Sequence, residues 1–472
     1  MVWRLGLARF SRRQSALFTR AALPLALAAA FSHAPSAAQE QIPPAPAPNP
    51  TAPEQIETAP QPESSPPVKE RFLIDRFPDK PSLPPTFAVP IDPLGFTGPG
   101  AIYMGARNSM ASLDFLDENR LLFTFRVPGL LRRDLTNGDE RIERQIRAVV
   151  LKLPQGTVEA EAMWTVHDRV RYLWPLKNGH FLLRDRNNLL EGDATLTLKP
   201  YLDFPGSLLW LEVDPGEHFL VTNSNEPLKK AADSGEVSTP STALANVTSD
   251  QDSSEDTDHP PDLVVRILRR DSGEVMLVSR VRTAVHLPIN SVGYLENLRG
   301  QGTEWVLNLS YFTGGSKMLG RVESTCEPDD EFLTEQEILA TGCGPSGESI
   351  LVAMTTAGRT LWRSQAPATE VWPQLAVAAN GSRLAWETLD ATHSIYTFAH
   401  MDASDVKEQS VTVFDAANGD IALVSPVSPI LYAGGNVAIS PSGRRVALLN
   451  AGAIQVFDLP PATPLPAASS GR

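Results

Sequence analysis

Long apolar runs are missing from this sequence. Past residue 38, no segment of the 472-residue chain is apolar enough to cross a bilayer, so no transmembrane span is expected in the mature chain. Amphipathic stretches of helix length are missing as well. "GDERIERQIRAVV", residues 138–150, comes nearest, but it runs into β-branched residues and the turn "PQG". Basic residues are outnumbered, 41 Lys and Arg against 55 Asp and Glu, for a formal net charge of −14. Such a chain is a poor partner for nucleic acid or an anionic membrane surface. No Gly-x-Ser-x-Gly, His-Glu-x-x-His or phosphate loop occurs. The eight His residues, at 33, 167, 180, 218, 259, 286, 393 and 400, form no His-x-His or His-x3-His ligand pair. No metal and no cofactor is expected on these grounds. Cysteine is reduced to Cys326 and Cys343.

What is present begins with an export signal. Arg4, Arg9, Arg12, Arg13 and Arg20 form a basic start, "AALPLALAAAF" a short apolar run, and "SAA" at 36–38 a small-residue cleavage site. Residues 1–38 read as a signal peptide, which places the protein in the periplasm or outside the cell. "SRRQSALF" faintly matches a twin-arginine signal, and the general secretory route remains open beside it. Cleavage after Ala38 removes five Arg and no acid, so the net charge falls from −14 to −19.

Proline, at 41 residues, is abundant. Residues 39–82 form a Pro-rich linker, because their composition buries too little apolar surface to offset ordering entropy. Residues 463–472 make a loose tail. A third loose stretch, about 228–262, interrupts the folded part. Between Ala231 and Val265 it holds no Lys or Arg, but it carries Asp233, Glu236, Asp250, Asp252, Glu255, Asp256, Asp258 and Asp262. Its "DQDSSEDTD", residues 250–258, alternates acids like a calcium loop but lacks the turn Gly and the closing Glu.

The remainder, 83–462, is short apolar runs cut by polar turns. One unit recurs: strand, tight turn, strand. It appears as "LDFLDENRLLFTF", "YLWPLKNGHFLLRD", "LLWLEVDPGEHFLVT", "LPINSVGYLEN", "DEFLTEQEILATGC", "QLAVAANGSRLAWE" and "NVAISPSGRRVALLN". A second hairpin follows several of these, as in "ILVAMTTAGRTLW" and "VTVFDAANGDIALV". Two hairpins in succession make a four-stranded meander. Seven such units predict an all-β fold, a single seven-bladed β-propeller of four-stranded antiparallel blades. The last unit is one strand short, since Pro460, Pro461 and Pro464 stop a fourth. An N-terminal strand, "PTFAVPI" at 85–91 or "AIYMG" at 101–105, is expected to complete it and close the ring.

"SPSGRRVALL…IQVFDL" and "VFDAANGDIALV" resemble the WD-repeat-like and quinoprotein-like propeller superfamily, over residues 374–460. "FLDENRLLFTF" with the later Cys pair also resembles uncharacterised secreted bacterial propeller proteins. "TTAGRTLWRSQ" is similar to the docking motif of pyrroloquinoline quinone dehydrogenases. Trp362 is its one instance, and ordinary outer-strand packing is the better reading.

The two cysteines lie symmetrically about the "TEQE" turn, which sets residue 326 opposite 343 in an antiparallel hairpin. A Cys326–Cys343 disulfide is expected in an oxidising compartment. His180 and His218 hold corresponding positions after their turns. Asp114, Asp117, Asn290, Glu331 and Asn380 sit near the inner strand ends, where a central channel would collect them. No catalytic residue is assigned among them. The expectation is a monomeric, non-enzymatic exported propeller, a scaffold that binds a protein or glycan. The alternative is a metal-dependent hydrolase or lactonase with its site in the channel.

Overall fold

The middle strands of the chain are apolar on both faces, and the architecture explains why. The computed structural model describes residues 69–72, 82–97, 110–127, 133–134, 141–167, 171–226, 263–393 and 405–464. In strand Arg120–Arg126 the side chains of Leu121, Leu122, Phe123 and Phe125 are all fully buried. A sheet packed between two neighbours loses both faces to the core, so its inner strands read as continuous apolar runs rather than alternating ones.

Seven sheets follow one another as a propeller of antiparallel, four-stranded blades. Blade one runs from Ser112–Phe115 through Arg120–Arg126 and Arg144–Lys152 to Thr157–Val166. Blades two and three begin at Leu173–Pro175 and Ser207–Val213, and blades five, six and seven at Asp329–Phe332, Glu370–Val377 and Val437–Ile439. In blade four the innermost strand is reduced to the pairing of Ile289 with Tyr294. Pro288, beside it, has no N–H to give a ladder. The helix-like segment 138–150 lies largely in strands, Arg141–Ile142 and Arg144–Lys152.

The ring closes with a strand from the other end of the chain. Phe87–Pro90 pairs antiparallel with Ala453–Asp458, setting Phe87 opposite Val456 and Pro90 opposite Ala453. It is the outermost strand of blade seven. Val89, Ile91 and Leu94 then enter one core with Leu113, Phe123 and Val149 of blade one and Ala447, Ile454 and Val456 of blade seven. Gly156, at φ 68°, lies so close to Val89 that a Cβ there would meet its methyl carbon at 2.6 Å. Of the two expected donors, residues 85–91 supply the strand. Residues 101–105 lie outside the described residues.

Within the segment expected as a linker, Lys69–Phe72 form a strand parallel to Thr360–Ala366, at the outer edge of blade five. Residues 1–38, where the signal peptide is expected, lie outside the described residues, as do 228–262 and 250–258 within them. The strands flanking that insertion, Phe219–Asn225 and Leu263–Arg269, pair from Asn225↔Leu263 onward. Glu226, at its entrance, takes two hydrogen bonds from Arg266, at 2.6 and 2.7 Å. At the other end, Thr463 N donates to Asp415 Oδ2 at 2.7 Å, and 465–472 lie outside the described residues.

Trp362 does more than pack within its own sheet. Its Nε1 donates to Ala416 O at 2.7 Å, its ring stacks on Phe414, and Gly419 leaves room for the indole. All three belong to blade six, so the contact joins two blades. The cysteines stand at disulfide distance, with Cα atoms 5.4 Å apart. The ladder pairs Asp329 with Thr341, one residue off the expected register, and would set residue 327 opposite Cys343. The chain leaves that ladder before Pro328, and Cys326 arrives from outside it. Among the described residues no helix is long and apolar enough to cross a membrane.

Candidate functional site

Between the inner strands of blades one, two, three, five, six and seven lies a cavity of about 440 Å³. It is bounded by the inner strands and the turns that follow them. One strand position recurs around it, and the residue there decides its chemistry. Asp114 occupies it in blade one, Trp174 in blade two, Glu212 in blade three and Glu331 in blade five, while Ala376 and Ala438 occupy it in blades six and seven. Three carboxylates are therefore spread around the axis, on blades one, three and five. The wall of blades six and seven, with Leu375, Val377 and Ile439, is apolar and small.

The carboxylates are individually held. Asp114 is buried, and Ser112 Oγ donates to its Oδ2 at 2.5 Å. Burial pushes its carboxyl up to about 6, against the Ser112 hydroxyl and the Arg171 charge, which oppose the rise. Arg171 donates to Leu173 O and lies over the Trp174 ring, 5.4 Å from its centre. Glu212 meets His286, whose Nε2 is 3.1 Å from Glu212 Oε2, and whose Nδ1 is 3.0 Å from Asp329 Oδ1. That chain links blades three, four and five behind the cavity wall. At the rim, Asp214 accepts from Phe219 N at 2.6 Å and from Gly216 N at 3.0 Å. Its carboxyl is pushed up to about 6 by burial first and by Glu335 second. Glu217 accepts from Lys177 N, while Lys177 Nζ donates to Pro215 O at 2.7 Å. The one lysine of the rim is thereby spent on a backbone carbonyl.

The five residues expected near the channel divide. Asp114 and Glu331 line it. Asp117 instead binds Arg120 Nε at 2.6 Å within its own turn. Asn290 Nδ2 donates to Glu335 O at 3.0 Å, and Asn380 Nδ2 to Ser442 O at 2.9 Å. Both asparagines tie the turn of one blade to that of the next, as does Glu118 Oε1, which accepts from Ser442 N at 2.7 Å. His180 and His218 do not converge: His180 faces Glu191 at 3.7 Å, and neither lines the cavity. Glu212, Trp174 and Arg171 were not expected there. Glu212 was legible as the counterpart of Asp114 and Glu331, since "LDF", "LEV" and "DEF" align at that position.

For the metal-dependent hydrolase, the donor set is the test. Among the described residues no group of three or more His, Cys, Asp or Glu side chains is arranged to hold a metal ion. The three equivalent carboxylates lie on three separate blades, one, three and five.

No protein-family model matches the sequence, and no curated protein matches it. Solved structures do match in fold. An acylaminoacyl peptidase from Pyrococcus horikoshii is similar at 10% identity and a TM-score of 0.42, over 76% of this chain and 52% of that one. The β-propeller domain of the Trilobed protease from Pyrococcus furiosus is similar at 10% identity and a TM-score of 0.38, over 74% of this chain and 93% of that one. Hsv2p of Kluyveromyces lactis matches at 11% identity and a TM-score of 0.33, over 60% of this chain and 71% of that one. This chain spans about half the length of the peptidases it matches. The expected non-enzymatic scaffold role finds no support in these matches, which include peptidases, and is set aside.

Proposed function

We propose that the protein works through the mouth of its central channel, where it receives an organic cation: an ammonium or guanidinium group carried on an apolar body. A basic side chain or the amino end of a peptide fits that description, as does a small free amine. One observation carries the reading. Asp114, Glu212 and Glu331 stand at the same position of blades one, three and five, and the alanine-lined wall of blades six and seven lies between the last of them and the first. A ligand with charge at one end and apolar surface at the other satisfies both at once. The Trp174 ring adds an aromatic surface that already faces two guanidinium groups, those of Arg171 and Arg184, 5.4 and 5.8 Å from its centre. Asp114 and Asp214, both held near 6, are the groups of the site suited to exchange a proton with a bound molecule near neutrality.

The reading includes export, a monomeric propeller of the WD-repeat-like or quinoprotein-like kind, and a Cys326–Cys343 bond formed outside the cytoplasm. The basic and apolar N-terminal segment and the cysteine pair at disulfide distance support it.

The test is a binding series on the full mature chain, read by Trp fluorescence and calorimetry. Benzylamine, phenylguanidine and short Arg-containing peptides are compared with benzyl alcohol, benzoate and acidic peptides. The cations are expected to bind and the others not, with Glu331→Gln weakening the cations about tenfold, the scale of one lost charge-assisted contact. Equal binding of neutral and cationic analogues, or no response to Glu331→Gln, removes the channel reading.

A further inference from the structure

Two guanidinium groups face the Trp174 ring, and they are held in different ways. Arg184 is fully buried, its Cζ lies 5.8 Å from the ring centre, and its Nη1 donates to Leu209 O at 2.8 Å. It does not line the cavity. Arg171 does line it, together with Asp114 and Trp174, and is an exposed residue. Its Cζ lies 5.4 Å from the ring centre, and its Nε donates to Leu173 O at 3.0 Å. Its charge also acts on the Asp114 carboxyl, opposing the rise that burial causes.

The rest of the lining explains why a cationic side chain is drawn there. Asp114, Glu212, Asp214, Glu217 and Glu331 all border the cavity. The bases among the described lining residues are Arg171 and Lys177, and Lys177 Nζ is tied to Pro215 O at 2.7 Å. A cleft with such an excess of acids concentrates positive charge, and Arg171 carries one charge on a short tether.

We propose that Arg171 is the resident occupant of the cation position at the channel mouth: its guanidinium lies on the Trp174 ring within the field of Asp114, and a ligand cation is seated only when it moves aside. The proposal rests on the channel reading and adds the regulation of that site. A tethered cation competes at an effective concentration that a free one has to match. The competition is with Arg171 and not with Arg184, which burial fixes in place. Because Arg171 is exposed, its guanidinium has a solvated place to go, and the exchange leaves no unpaired charge buried. The apparent dissociation constant is then the intrinsic one divided by the fraction of molecules in which Arg171 stands aside.

The experiment is calorimetric titration with benzylamine and phenylguanidine at pH 8. It compares the full mature chain with its Arg171→Ala, Arg171→Gln and Glu331→Gln variants, the Gln substitution at 171 guarding against a loss of fold in the Ala one. Both Arg171 variants are expected to bind the two cations about fivefold more tightly than wild type, the scale of one cation–π contact. Binding seen in the Arg171 variants and not in wild type is the same result in a stronger form. Methylguanidine probes the vacated position directly, and should raise the Tm of Arg171→Ala while leaving that of wild type unchanged. Equal or weaker binding by the Arg171 variants, with Glu331→Gln still weaker than wild type, overturns the proposal and leaves the channel reading standing. No cation binding by any of the four proteins removes the channel reading, and the proposal falls with it.

Discussion

Asp114 is placed where its charge is costly to the fold and useful to the cavity. Its carboxyl, near 3.8 in the unfolded chain, sits near 6 when folded, so the native state holds its proton more tightly. The stabilisation from that proton is complete below about 4 and is lost as pH rises through about 6. Asp114→Asn removes the burden of ionisation. Urea unfolding should find the variant more stable by about 2 kcal/mol at pH 8 and equal to wild type at pH 3.5. The same variant should bind benzylamine more weakly at pH 8. A loss of stability at pH 8 would show that the Arg171 partnership outweighs burial. Asp114 and Glu331 were legible as channel residues, because hairpin turns mark where inner strands end. Asn290 and Asn380 look the same in sequence and do something else, since a side chain that bonds to the next blade's turn depends on a neighbour the local pattern does not name. The His286 link was hidden for a similar reason: Glu212, His286 and Asp329 are far apart in sequence and meet only across three blades.

Strands and turns were the more readable scale. Most of the tight turns in the sequence mark a hairpin because a Gly, Asn or Asp at the turn accepts a backbone conformation other residues resist, while the "TEQE" turn is held by Thr334 Oγ1, which accepts from Gln336 N and Glu337 N. Gly381, Gly419 and Gly443 all have positive φ in such turns. The register of the cysteine hairpin was missed by one residue, because Pro328 takes the chain out of its ladder before Cys326 is reached. Blade four was harder, its inner strand being little more than Ile289. Strand Lys69–Phe72 gave no signal, since a parallel strand added at an edge is held through its backbone and needs little of its own sequence. At this scale the insertion between Phe219–Asn225 and Leu263–Arg269 is expected to be removable. Those strands pair from Asn225↔Leu263 onward, so a short Gly-Ser turn can replace 228–260 without disturbing the ladder. The Tm should move by less than about 3 °C, as for a neutral surface change. A larger fall would show that the segment packs on the blade.

At the scale of the whole fold, the ring is held shut by Phe87–Pro90, which pairs with Ala453–Asp458. A chain beginning at Arg71 keeps Phe87–Pro90, whereas one beginning at Ser109 loses it, together with the burial of Val89, Ile91 and Leu94. Three buried aliphatic side chains amount to roughly 6 kcal/mol, and the exposed edge of Ala453–Asp458 adds to the loss. The Ser109 chain should melt well below the Arg71 chain, or be recovered as aggregate. Equal melting temperatures would mean that blade seven holds without its fourth strand. The closure also orders events in time. Phe87–Pro90 emerges from the ribosome before any blade exists, and its partner, Ala453–Asp458, is the last in sequence of the described strands. A strand made early is therefore among the last to be placed, because no completed ring can receive it before Ala453–Asp458 has been made.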